Sequence, residues 1–125
     1  MLNQKDAIAT VAVRDIPRAK RFYEDVLGFK LVHDEGGEAL TYKSGNSSIF
    51  VYKSEYAGTN QATAASWDVG TETDSIVREL KRKGVNFEHY DLPDTKREGD
   101  VHVGDGMKIA WFKDPDGNIL SVFGQ

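Results

Sequence analysis

Apolar and polar positions along this chain follow an order that occurs twice. Ala7–Val13 is a run of apolar and β-branched residues, which predicts a strand. Asp15 then opens an amphipathic stretch in which Ile16, Ala19, Phe22, Tyr23, Val26 and Leu27 recur at helical spacing. Asp15 suits the N-cap, Pro17 the first turn, and Gly28 the left-handed position that ends a helix. Phe29–His33, Ala39–Lys43 and Ser48–Lys53 follow as strands, separated by Glu35-Gly36-Gly37 and Ser44-Gly45-Asn46.

The second half repeats this order after a small-residue linker over 54–63. Ala64–Val69 reads as a strand. Thr71 with Asp74 resembles a capping box, and Ile76, Val77 and Leu80 form an apolar stripe. Lys81-Arg82-Lys83 sits where the helix dipole favours cations, and Gly84 ends the helix. Asp15 to Gly28 and Thr71 to Gly84 are both thirteen steps, and the two units lie 56 residues apart. Val85–Tyr90 is the next strand, Asp91–Gly106 is a polar lid or rim, and Met107–Lys113 and Ile119–Phe123 form a last hairpin. The expectation is one α+β domain over 1–125, built from two βαβββ modules at 7–53 and 64–123.

Composition narrows the partners. A net charge of −4 argues against nucleic acid, which needs a basic face. The absence of cysteine removes disulfides, thiolate metal sites and a cysteine nucleophile. No apolar run reaches the roughly 20 residues that span a bilayer, and Met1–Asp6 lacks an apolar signal core. The expectation is a soluble, cytoplasmic protein without membrane partners.

Several of these segments resemble the vicinal oxygen chelate superfamily of glyoxalase I, extradiol dioxygenases, fosfomycin-resistance proteins and bleomycin-binding proteins. In the first module the resemblance rests on Val13-Arg14-Asp15-Ile16, Phe22-Tyr23 and Val26-Leu27-Gly28-Phe29. In the second it rests on Leu80–Val85 and Phe112–Asn118. It implies sheets curled around a cleft with helices outside, and a homodimer with the cleft at or near the shared interface. It says little about activity, because one scaffold hosts several chemistries and plain binding.

The family's enzymes hold a divalent metal with His, Glu or Gln from four strands. Counting from the motifs, the resemblance places those positions at Ile8, Phe50, Ala64 and Ser121. None offers an imidazole or carboxylate, and the neighbours Ala7, Ala9, Ile49, Val51, Ala65, Leu120 and Val122 do no better. His33 and His89 have no carboxylate at ligand spacing, and Asp100, His102 and Asp105 read as a solvated turn. The expectation is no metal, no cofactor and no catalytic residue.

Strand alternation, given the family layout, assigns the cleft face. It carries Ile8, Thr10, Phe50, Tyr52, Ser66, Asp68, Trp111, Ser121 and Phe123, while Trp67 and Phe112 point to the core. This lining is aromatic with a few polar groups and one carboxylate, and it suits a planar or cationic small molecule. The leading reading is metal-independent sequestration of the bleomycin-resistance type. A metalloenzyme with a displaced site near His102 and a ligand-free dimeric module are the alternatives.

Overall fold

Residues Ala9–Val13 (β1) pleat with Val11 and Val13 buried and Thr10 exposed, as the alternation predicts. The computed structural model describes residues 1–125. Its first sheet joins β1 to Lys30–Asp34 (β2), Ala39–Ser44 (β3) and Ser47–Lys53 (β4), in the order β1-β4-β3-β2 with β1 parallel to β4. The second joins Thr63–Asp68 (β5), Phe87–Glu88 (β6), Lys96–Glu98 (β7), Val101–Gly104 (β8), Met107–Lys113 (β9) and Ile119–Gly124 (β10). Its order is β5-β10-β9-β8-β7, with β6 also on β9 and β5 parallel to β10. Neither sheet closes on itself, and β1 runs alongside β5. No helix is long and apolar enough to cross a membrane.

Each sheet turns one face to its helix. Ile16–Lys20 (α1) starts at Asp15, whose carboxylate accepts from the Arg18 N–H at 3.0 Å. It continues as a wider π-helical stretch over Arg21–Val26, where the Leu27 N–H bonds the Phe22 carbonyl at 3.0 Å. Thr73–Arg82 (α2) buries Thr73, Val77 and Leu80. Gly28 and Gly84 both take positive φ, 78° and 92°, and end the helices as predicted.

The repeat is less regular than its spacing suggests. Glu72, not Thr71, stands at the start of α2, and no side chain caps it. The expected Thr71–Asp74 box does not form, because the Val69-Gly70 turn carries the chain one residue further before the helix begins. Asp74 pairs with Lys108 instead. The first helix therefore holds one residue more between cap and terminal glycine, and the π-helical stretch absorbs it.

The expected strand over Val85–Tyr90 shrinks to Phe87–Glu88, and the polar segment 91–106 is not a plain loop. It folds as the β7–β8 hairpin, and Asp105-Gly106 joins β8 to β9 with both residues at positive φ (53° and 75°). Thus β6 and β8 share the edge of β9, β6 along Trp111 and Phe112, β8 along Met107 to Ile109.

One core runs through both modules, with Tyr23, Leu40 and Tyr42 from the first and Phe112 and Leu120 from the second. The turn Asp114–Asn118, between β9 and β10 of the second module, ties that module to the first by hydrogen bonds. Buried Asp114 accepts from the Tyr23 hydroxyl and the Asn118 amide side chain, both at 2.8 Å, and from two backbone N–H groups. The Asn118 side chain donates on to the Ala12 carbonyl at 2.7 Å, and Asp116 binds Arg18 at 2.9 Å. Burial pushes the Asp114 carboxyl above its ordinary range despite these donors, and burial beside it pushes the Tyr23 phenol up as well. The segment after β4 packs on this turn: a Cβ at Gly58 would meet the Asp116 carbonyl oxygen at 1.9 Å.

Candidate ligand-binding face

On the first sheet, Ile49 and Val51 are buried toward α1 while Phe50 and Tyr52 stand on the opposite face. Their rings stack with centroids 6.1 Å apart and planes 16° apart. Thr10 and Thr41 flank Phe50 in register. Ile8 precedes β1 and is 56% exposed, so it belongs to the rim of this face.

The second sheet arranges its predicted residues in two cross-strand rows. Ser66, Ser121, Trp111 and Glu88 are register partners across β5, β10, β9 and β6. Asp68, Phe123, Ile109 and His102 make the next row across β5, β10, β9 and β8. The Ser66 and Ser121 hydroxyls bond each other at 2.7 Å, and the Trp111 indole N–H donates to Thr63 at 3.2 Å. Asp68 accepts from the Gly70 N–H at 3.0 Å through one oxygen. Trp67 lies on the other face, packed on Phe29 at 5.6 Å, with its indole N–H donating to Ser44 at 2.9 Å.

The nine predicted residues thus fall into two groups, Ile8, Thr10, Phe50 and Tyr52 on the first sheet and the rest on the second. They adjoin where β1 runs beside β5. A hollow of about 170 Å³ opens at that seam, lined by Ala9, Ser44, Ser48, Ser66 and Trp67. A shallow hollow of about 650 Å³ lies beside it against Ile8 and Ser48.

Two residues outside the predicted lining shape the Trp111 end. His102 is not in a solvated turn: it lies on β8 with 3% exposure, sealed under Tyr90 and Trp111. The Tyr90 N–H donates to His102 Nε2 at 3.0 Å, and both rings meet Trp111 edge-on, at 4.9 Å for His102 and 5.2 Å for Tyr90. The sequence did hold a cue, since Val101-His102-Val103 before Asp105-Gly106 is a strand followed by a hairpin turn.

A divalent metal does not fit the four family positions. Ile8 and Ala64 have no donor atom, Phe50 presents a ring, and the Ser121 hydroxyl is engaged by Ser66. No three His, Asp or Glu side chains gather in metal-holding geometry. Near His102, the Asp100 carboxylate is bonded to Lys81 and His89, both at 2.7 Å. Those bonds, Lys81 first, hold its carboxyl below the ordinary range.

Two mixed sheets, one per βαβββ module, with helices on their outer faces define a paired-module α+β protein. The chain belongs to the Glyoxalase/Bleomycin resistance protein/Dioxygenase superfamily, whose profile matches residues 6–122. It is 26% identical over 118 residues to the virulence protein STM3117 of Salmonella typhimurium, covering 90% of this chain and 78% of that one. Lactoylglutathione lyase from Agrobacterium tumefaciens has a similar structure at 17% identity, with a TM-score of 0.72 over 95% of this chain and 92% of that one. TnmS3, an antibiotic binding protein from Streptomyces sp. CB03234, has a similar structure at 22% identity, with a TM-score of 0.59 over 92% and 90%.

Proposed function

We propose that the protein binds a small aromatic or cationic compound against the non-core faces of its two sheets and holds it unchanged, without a metal. The observation that carries this reading is the replacement of the family's metal-ligand positions by Ile8, Phe50, Ala64 and Ser121 on faces that present Phe50, Tyr52, Trp111 and Phe123. A metal would gain nothing there to offset its dehydration, whereas stacked rings attract planar and cationic guests. The antibiotic-binding relative supports the reading, because the same scaffold serves binding in that protein.

The single chain leaves these faces open, and a second copy closing over them is part of the proposal. Light scattering is expected to return a homodimer at micromolar concentration. Thermal-shift screening with planar cations is expected to raise the melting temperature, since a ligand at 100 times its Kd adds about 2.7 kcal/mol. Turnover that depends on added Zn²⁺, Ni²⁺, Fe²⁺ or Mn²⁺, with one bound ion per chain, would overturn the reading in favour of a metalloenzyme.

A further inference from the structure

The detour between β6 and β8 borders a half-open hollow of about 470 Å³ that the predicted lining does not include. Tyr90, Asp91, Leu92, Thr95, Arg97 and His102 line it. Its size lies within the roughly 300–1,000 Å³ usual for small-molecule sites. We propose that this hollow, which adjoins the Trp111 end of the open face through Tyr90 and His102, is a second binding site and that it takes a small aromatic carboxylic acid.

Arg97 carries the argument. It is a direct cross-strand partner of His102 in the β7–β8 hairpin, so both side chains leave the same face of the hairpin. The neighbouring Lys81 and His89 side chains are occupied, both bonded to Asp100. Arg97 has no ion pair and no side-chain hydrogen bond, and its planar fork matches a carboxylate through two parallel bonds.

His102 supplies an independent observation. Its Nε2 accepts the Tyr90 N–H, so the proton of the neutral ring sits on Nδ1. That Nδ1–H is buried and has no acceptor. It is a donor left without a partner on a residue that borders the hollow, and an acceptor is the chemistry it lacks. Tyr90 and Leu92 give the acid's ring an apolar wall, and the Thr95 hydroxyl, already donating to the Leu92 carbonyl at 2.8 Å, keeps its shape. Asp91 is the one lining group that opposes an anion.

The test is calorimetric titration of the purified full chain with 2-naphthoate and with 2-naphthylmethylammonium, which share a ring and differ in charge. Naphthoate is expected to bind and the ammonium not to compete with it. Arg97→Gln should weaken naphthoate about tenfold or more, with Arg97→Lys between the two. Asp91→Asn should strengthen it about two- to fivefold. Lys96→Gln removes the same charge from the other face of β7 and should leave affinity within about twofold. Arg97 is exposed, so its variants should keep the wild-type melting temperature. Absence of naphthoate binding, displacement of bound naphthoate by the ammonium, unchanged affinity in Arg97→Gln, or an equal loss in Lys96→Gln would each overturn the proposal.

Discussion

In the first module the strand after the helix is a single edge strand: Lys30–Asp34 pairs with β3 throughout, with one bulge between Leu31 and His33. In the second module the same place on β9 is shared by Phe87–Glu88 and Val101–Gly104, and the chain between them leaves the sheet and returns as a hairpin. The two modules bury their helix-facing sides alike, through Ile49 and Val51 in one and Leu120 and Val122 in the other. Their open faces differ. The first module presents a stacked Phe50–Tyr52 pair, whereas the second sets Tyr90 and His102 edge-on against a half-buried Trp111. Duplication preserves what the core requires, and the unpaired edge of the sheet is where an insertion costs least, because it breaks no interior ladder.

If the modules are one cooperative unit, the turn between β9 and β10 is where to break it. Asp114→Ala strands the Tyr23 hydroxyl, the Asn118 side chain and two backbone N–H groups in a buried place. The expected loss is about 4 kcal/mol in urea unfolding, since each stranded donor costs about 1–3 kcal/mol before relaxation. A loss below about 1 kcal/mol would mean that the modules hold together without this turn.

The two tryptophans sharpen the contrast between core face and open face. Trp67→Ala should cost about 3 kcal/mol of stability through the cavity it leaves beside Phe29. Trp111→Ala should cost less stability and weaken an aromatic cation roughly three- to thirtyfold, the worth of about 0.5–2 kcal/mol of stacking. Denaturant melts with parallel titrations separate the two, and a reversed pattern would invert the face assignment.

The smallest expected effect concerns the detour itself. Asp100 anchors it by bonds to Lys81 and His89, which hold its carboxyl below the ordinary range. A depressed carboxyl contributes stability above its unfolded pKa of about 3.9 and loses it as pH falls through the lower folded value. Asp100→Asn should therefore melt slightly lower than wild type at pH 7, and the gap should close as the pH drops below about 4. Asp114 has the opposite sign: burial raises its carboxyl, so protonation favours the native state as pH falls through that raised value. A pH scan of melting temperature that showed no closing gap for Asp100→Asn would mean that the anchor is too well hydrated to matter.

Much of this was legible in the residues. Period-two alternation places Phe50 and Tyr52 opposite Ile49 and Val51, and Trp111 opposite Phe112, because a pleated strand leaves each side chain one choice of face. Helix ends were legible at Asp15, Gly28 and Gly84 for equally local reasons. The start of the second helix was misread at Thr71, since a cap depends on where the preceding turn releases the chain.

By itself, then, the sequence determined the paired order of strands and helices and which side chains alternate along each strand, which follow from local periodicity. The family resemblance added the positions Ile8, Phe50, Ala64 and Ser121, whose side chains lack an imidazole or carboxylate. Only the tertiary structure decided that Asp114 binds a tyrosine 91 residues away, that His102 is buried with a donor left over, and that the polar detour builds a hollow around Arg97. Those outcomes depend on which distant strands meet, and a polar segment is buried or exposed according to the surface that packs against it. No local pattern carries that information.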